Sequence, residues 1–134
     1  MVGLLVNIDV PDVAAGVAFY TAALPLHVGR RFDDDFVELL GLPVPLYLLK
    51  GDAGSAIGPA GGGARDYRRH WTPVHLDMVV DDLDAAVLRA EAAGAIRERG
   101  IDTAPYGRIA TFADPFGHGF CLLQFTERGY DALL

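Results

Sequence analysis

Apolar and polar positions alternate from Val74 to Val80, with Val74, Leu76, Met78 and Val80 on one side and His75, Asp77 and Val79 on the other. A period of two predicts a strand with two unlike faces, here over 73–80. The period then lengthens. Leu83, Ala86, Val87 and Ala90 recur at helical spacing, Asp81 or Asp82 offers an N-cap carboxylate, and Gly94 supplies a left-handed stop. The same pattern occurs near the start of the chain. Val6-Asn7-Ile8-Asp9-Val10 precedes Asp12, and Val13, Val17, Tyr20 and Leu24 then form a helical stripe that Pro25 ends. Aligning the helix caps pairs Asp12 with Asp82 and Leu5 with His75. Aligning the strands instead pairs Asn7 with His75 and Asp9 with Asp77. The two registers differ by two residues, so every side chain keeps its face in either. Both describe an internal duplication of one strand-helix unit.

Each unit continues as a run of short strands. In the first half these are expected at 26–32, 36–40 and 46–50, with the Asp33-Asp34-Asp35 tip and the proline-rich 41–45 stretch as turns. The second half predicts strands at 96–102, 108–112 and 119–125, turns at 104–107 and 114–117, and a short docking tail or helix at 127–134. Glycines, Ser55 and Pro59 make 51–72 an irregular linker. The expectation is one domain over 1–134: module one at about 1–50, the linker at 51–72, module two at 73–126 and the tail.

Charge and cysteine content narrow the function classes. A formal charge of −7 over 134 residues opposes a phosphate backbone, so a nucleic-acid partner is set aside. The single cysteine, Cys121, excludes an internal disulfide and fits a reducing compartment. No apolar run reaches membrane-spanning length, so neither a membrane partner nor a signal segment is expected, and a cytoplasmic location follows as the default. Three adjacent aspartates on a tight turn cannot all point at one ion, and the linker glycines lack the strand-before, helix-after setting of a phosphate loop.

The remaining candidate chemistry gathers around the second unit. His75 and Asp77 share a strand face, within reach of one ion or one substrate, and either could act as a general base. Arg65-Asp66-Tyr67-Arg68-Arg69-His70-Trp71 is a basic, aromatic cluster in an acidic protein. It reads either as a lid edge whose arginines pair with surplus carboxylates, or as a mouth where Tyr67 and Trp71 offer flat surfaces to an aromatic ligand. Asp9 and Asp77 read as residues on a wetted sheet face. Cys121 reads as a small packed residue, while His70 and His118, in the linker cluster and at a turn, are discounted.

The runs Val-His-Leu-Asp-Met-Val-Val-Asp-Asp-Leu-Asp-Ala-Ala at 74–86 and Asp-Pro-Phe-Gly-His-Gly-Phe at 114–120 resemble the vicinal oxygen chelate superfamily, more narrowly its glyoxalase and bleomycin-resistance branch. The resemblance implies an α+β fold of two tandem βαβββ modules forming a half-open curled mixed sheet, with helices on the outer face and a homodimer as the assembly. It also implies a cleft that either holds a divalent metal or sequesters a small molecule. In metal-using members the ligands come from the first and last strand of each module. Here those positions fall at Leu5 (or Asn7 in the other register), Tyr47, His75 and Cys121, and only His75 is the expected kind of ligand. The set is broken. His75 and Asp77 lie close enough to share an ion, with Asp9 and Cys121 able to join from adjacent strands, but the expectation is no metal and no other cofactor. The leading expectation is a metal-free protein, not an enzyme, that captures an antibiotic-like apolar or aromatic molecule. Tyr47, His75, Trp71, Cys121 and Tyr67 would line the cleft, and Asn7, Asp9 and Asp77 would provide polar contacts. The alternative is a metal-dependent lyase, isomerase or dioxygenase acting on a substrate with adjacent oxygens.

Overall fold

The computed structural model describes residues Met1–Leu134, which divide into two compact units, Met1–Arg68 and Arg69–Leu134. The boundary falls inside the expected linker.

In the first unit, strand β1 (Val6–Val10) leads into helix α1 (Val13–Ala23), and β2 (His27–Asp33), β3 (Phe36–Leu40) and β4 (Leu46–Lys50) follow. Asp12 caps the helix by accepting from Ala15 N at 3.0 Å. At its far end Leu24, the residue before Pro25, is already extended. The strands order as β1-β4-β3-β2, with β1 parallel to β4 and the other pairs antiparallel. Val10, Val37, Leu39, Leu46 and Leu48 are fully buried. A Cβ on helical Gly16 would stand 3.1 Å from Leu48 and 3.3 Å from Val10, so this is the face that α1 covers. Asn7, Asp9, Glu38 and Tyr47, one step out of phase, share the opposite face.

The second unit repeats the plan with β7 (Leu76–Val79), helix α2 (Leu83–Ala93), β8 (Ile96–Arg97), β9 (Asp102–Ala104), β10 (Gly107–Ala113) and β11 (Gly119–Phe125). Asp82, not Asp81, is the N-cap, and Gly94 closes the helix at φ 111°. β7 runs parallel to β11, β10 antiparallel to β11, and both β8 and β9 pair with β10. Met78, Ala110, Phe112, Phe120 and Leu122 are buried on one sheet face, with the Phe112 and Phe120 rings stacked at 5.5 Å. Asp77, Thr111 and Cys121 lie on the other. Each unit is thus a βαβββ-type module with one helix and one mixed sheet, as the resemblance implies.

Several boundaries differ from expectation. The linker is not wholly irregular: Ala56–Gly58 (β5) and Gly61–Ala64 (β6) form a hairpin. Its strands are mostly glycine and alanine, which carry no period-two signal. The strand expected at 96–102 is two short strands, because Glu98 N donates to Thr111 O and the chain then leaves β10 until Asp102. The strand expected at 73–80 begins at Leu76, so His75 stands immediately before it. The tail forms a 3-10 helix over Gly129–Leu133.

The pairing also decides between the two duplication registers. Asn7 is the parallel partner of Tyr47, and Asp77 is the parallel partner of Cys121. With Tyr47 and Cys121 equivalent, Asn7 matches Asp77 and Leu5 matches His75, which is the register set by the helix caps.

Candidate functional site

In the second unit, Asp77 and Cys121 are direct neighbours on adjacent strands, and His75 precedes Asp77 by two residues on the same face. His75 Nε2 stands 3.2 Å from Asp77 Oδ1. The ligand atoms of His75, Asp77 and Cys121 all lie within 4.8 Å of one another. Cys121 is buried, as its reading as a packed residue requires, and its Sγ is 3.8 Å from Thr111 Oγ1 across the β10–β11 pair. Burial is the main cause that pushes the Cys121 thiol pKa up, and the neighbouring Asp77 carboxylate adds to it. A free thiolate is therefore disfavoured at this position, and Cys121 is no activated nucleophile.

Trp71 stands against this group, its ring meeting His75 edge-on at 5.3 Å. Three contacts hold the indole in place. The Arg69 guanidinium lies 4.7 Å over it, Glu98 accepts a hydrogen bond from it, and Gly119 leaves its ring the space a side chain would fill. Arg69 also pairs with Glu98, which lowers the Glu98 pKa. His70 and His118 form an isolated parallel bridge, with rings 5.7 Å apart. Asp114 is buried and accepts from Phe116 N and His118 N, fixing the turn that brings Gly119 under Trp71.

The first unit has its own polar group on the face away from α1. Tyr47 Oη donates to Glu38 Oε2 at 2.9 Å, and Arg30 grips the same carboxylate through Nε at 3.1 Å and Nη2 at 2.6 Å. Glu38 also accepts from Arg30 N, where β2 is irregular against β3. Hydrogen bonding from Arg30 outweighs desolvation and holds the Glu38 pKa down at about 2. Phe32, Phe36 and Tyr47 make an aromatic panel beside it, with centroids 4.4 to 6.4 Å apart. Sequence reasoning passed over Arg30 and Glu38. The available signal was a lone carboxylate within the apolar run Phe36–Leu40.

The basic cluster follows its ion-pairing reading. Arg65 Nε is 2.9 Å from Asp9 Oδ2, Arg68 pairs with Asp66, and Arg69 pairs with Glu98. Tyr67 is half-buried, and its hydroxyl donates to Gly51 O at 2.5 Å, so it fastens the linker strap rather than presenting a free hydroxyl. Asp9, expected on a wetted face, is engaged by Arg65, whereas Asn7 is exposed.

The four ligand positions that the resemblance implies do not fit a divalent metal. Leu5 has no lone pair to offer, and the Tyr47 hydroxyl is committed to Glu38 and Arg30. His75 and Cys121 remain, and no step is derived through a metal held by that set.

Two mixed sheets, each carrying one helix and each closed by a parallel pairing of its first and last strands, define the vicinal oxygen chelate class of α+β proteins. The chain belongs to the glyoxalase-like domain family, whose model matches residues 5–123. No protein of curated function matches the sequence. Among solved structures, the fosfomycin resistance protein FosX from Listeria monocytogenes is 18% identical with a TM-score of 0.73, covering 100% of this chain and 99% of that one. TioX from Micromonospora sp. ML1 is 17% identical with a TM-score of 0.72, over 94% of this chain and 100% of that one. A glyoxalase/bleomycin resistance protein/dioxygenase from Nocardioides is 21% identical with a TM-score of 0.65, over 96% and 87%. These likenesses establish the fold. No helix is long and apolar enough to cross a membrane.

Proposed function

We propose that this protein binds and sequesters a small, largely apolar or aromatic molecule, and does so without the four-ligand metal centre of its superfamily. The observation that carries the reading is Trp71. It is 45% exposed yet pinned by Arg69, Glu98 and Gly119 beside His75, Asp77 and Cys121. A fixed indole with polar groups at its edge suits capture of a flat ligand, because little side-chain entropy is left to lose on binding. The Phe32, Phe36 and Tyr47 panel gives the first unit a surface of similar character. The reading includes a homodimer in the cytoplasm, since each sheet ends in outer strands that a second copy can cover.

Trp71 is the only tryptophan, so its emission reports the site directly. Titration with a panel of planar aromatic antibiotics, with bleomycin and fosfomycin included, is expected to give a saturable change with at least one compound. A Trp71→Leu variant is expected to lose that binding by calorimetry. A flat response across the panel would refute capture. The enzyme reading has one point in its favour, since a FosX structure is described as a complex with Mn(II) and a dihydroxypropylphosphonic acid. Leu5 and Tyr47 weigh against carrying that centre over to this chain.

A further inference from the structure

The superfamily's ligand set fails at Leu5 and Tyr47, yet three donors of metal-binding type converge within the second unit alone. The sheet itself produces the convergence. Side chains two residues apart project from one face, and the parallel β7–β11 register sets Cys121 directly beside Asp77. Around a four-coordinate zinc, bonds of about 2.0–2.3 Å put neighbouring ligand atoms roughly 3.3–3.8 Å apart. The His75–Asp77 separation is 3.2 Å, and the whole group falls within 4.8 Å, so closing on an ion takes about 1 Å of side-chain movement. His75 and Asp77 are the members able to make it, with side chains 43% and 33% exposed, while buried Cys121 stays fixed. The same exposure gives an ion its way in. An imidazole, a carboxylate and a thiolate would bring two negative charges to a dication, the Cys121 proton leaving to solvent only as the ion binds, and Trp71 on one side of His75 would limit the ring's rotation.

We propose that His75, Asp77 and Cys121 form a site for a soft or borderline divalent cation, zinc first, with three protein ligands and a fourth position open. The site goes beyond the capture reading but shares His75, Asp77 and Cys121 with it, and the titration below reads metal alone, so either can fail without the other. It also differs from the arrangement implied by the resemblance, because Asp77 enters, Leu5 and Tyr47 drop out, and every ligand comes from one unit. Sulfur and nitrogen donors favour zinc or cobalt over magnesium, which prefers six oxygens.

The test uses the full chain stripped with a chelator and titrated with Co(II). The expected result is a saturable thiolate-to-cobalt charge-transfer band at one equivalent, with tetrahedral d–d intensity. One equivalent of Zn(II) removes the band, and millimolar Mg(II) does not. Cys121→Ser is expected to abolish the band. Because Cys121 is buried and its variant can lose the fold, Asp77→Asn provides a second arm. It is expected to keep the circular dichroism spectrum and the band while weakening Zn(II) about tenfold or more in competition with a chromophoric chelator. His75→Ala is expected to do the same, and His70→Ala, outside the site, to leave the titration unchanged. Absence of the band from the folded wild-type chain, or zinc affinity unaltered in both Asp77→Asn and His75→Ala, would overturn the proposal.

Discussion

Replacing Gly119 with alanine tests whether Trp71 is fixed in place. A Cβ there would stand 2.8 Å from three carbons of the indole, whereas ordinary contact begins at 3.4 Å, so the ring must retreat by at least about 0.6 Å. The backbone is no obstacle, since Gly119 is not among the glycines with positive φ. With Trp71 partly exposed the ring can tip outward, and the cost is then the contacts it leaves. The Arg69 cation–π contact contributes about 0.5–1 kcal/mol, and the hydrogen bond to Glu98 about 0.5–1.5 kcal/mol. A loss of about 1–2.5 kcal/mol corresponds to a melting temperature lower by roughly 3–9 °C for a chain of this size. Thermal unfolding followed by circular dichroism gives the stability, and Trp71 emission reports the move, expected as a red shift toward a more solvated indole. An unchanged melting temperature together with an unchanged emission spectrum would mean that the indole is not packed on Gly119 and offers no fixed surface.

Other perturbations test other parts of the structure. The Glu38 carboxylate, with its folded pKa held to about 2 against an ordinary value of 4.5, contributes stability that is complete above the unfolded value and lost as pH falls through the folded one. The gap in urea midpoint between wild type and Glu38→Gln is therefore expected to be constant above pH of about 5 and to close between about 4.5 and 2. A gap independent of pH would dismiss the ion pair as its source. The Cys121 thiol, buried and shifted upward, is expected to react with iodoacetamide at least about tenfold more slowly in the native protein than in urea, as mass spectrometry over time would show. Asp12→Ala and Asp82→Ala each remove a helix cap and are expected to cost about 1 kcal/mol in chemical denaturation. An asparagine at either position should restore most of that loss.

The legible parts of this fold were those where local chemistry and tertiary packing agree. Asp12 with Pro25, and Asp82 with Gly94, mark the helix ends because a cap and a stop are local events that side chains announce. Phe36–Leu40, Leu46–Lys50 and Gly119–Phe125 were readable as strands because each is apolar and bounded by turn residues. The β5–β6 hairpin was not, since Gly61-Gly62-Gly63-Ala64 has no side chains to alternate. At the candidate site, His75 and Asp77 were recognisable from their spacing, whereas the closeness of Cys121 depends on strand register, which becomes fixed only when β7 and β11 pair. The tie from the Tyr67 hydroxyl to Gly51 O was not legible, because the sequence does not reveal which carbonyl the loop brings near it. Arg30 and Glu38 escaped notice because their match is made across an irregular hairpin, eight residues apart.

The parallel pairing of first and last strands also governs how the chain can be made. Val6 must wait for Leu46, and Leu76 for Phe120, a delay of 40 and 44 residues of synthesis. At about 5–20 residues per second, the earliest strand of each repeat leaves the ribosome roughly 2–9 s before its mate exists. Neither sheet can close during that interval, and the newborn segment's oily side chains stay open to nascent-chain chaperones or to the same segment on a neighbouring polysome.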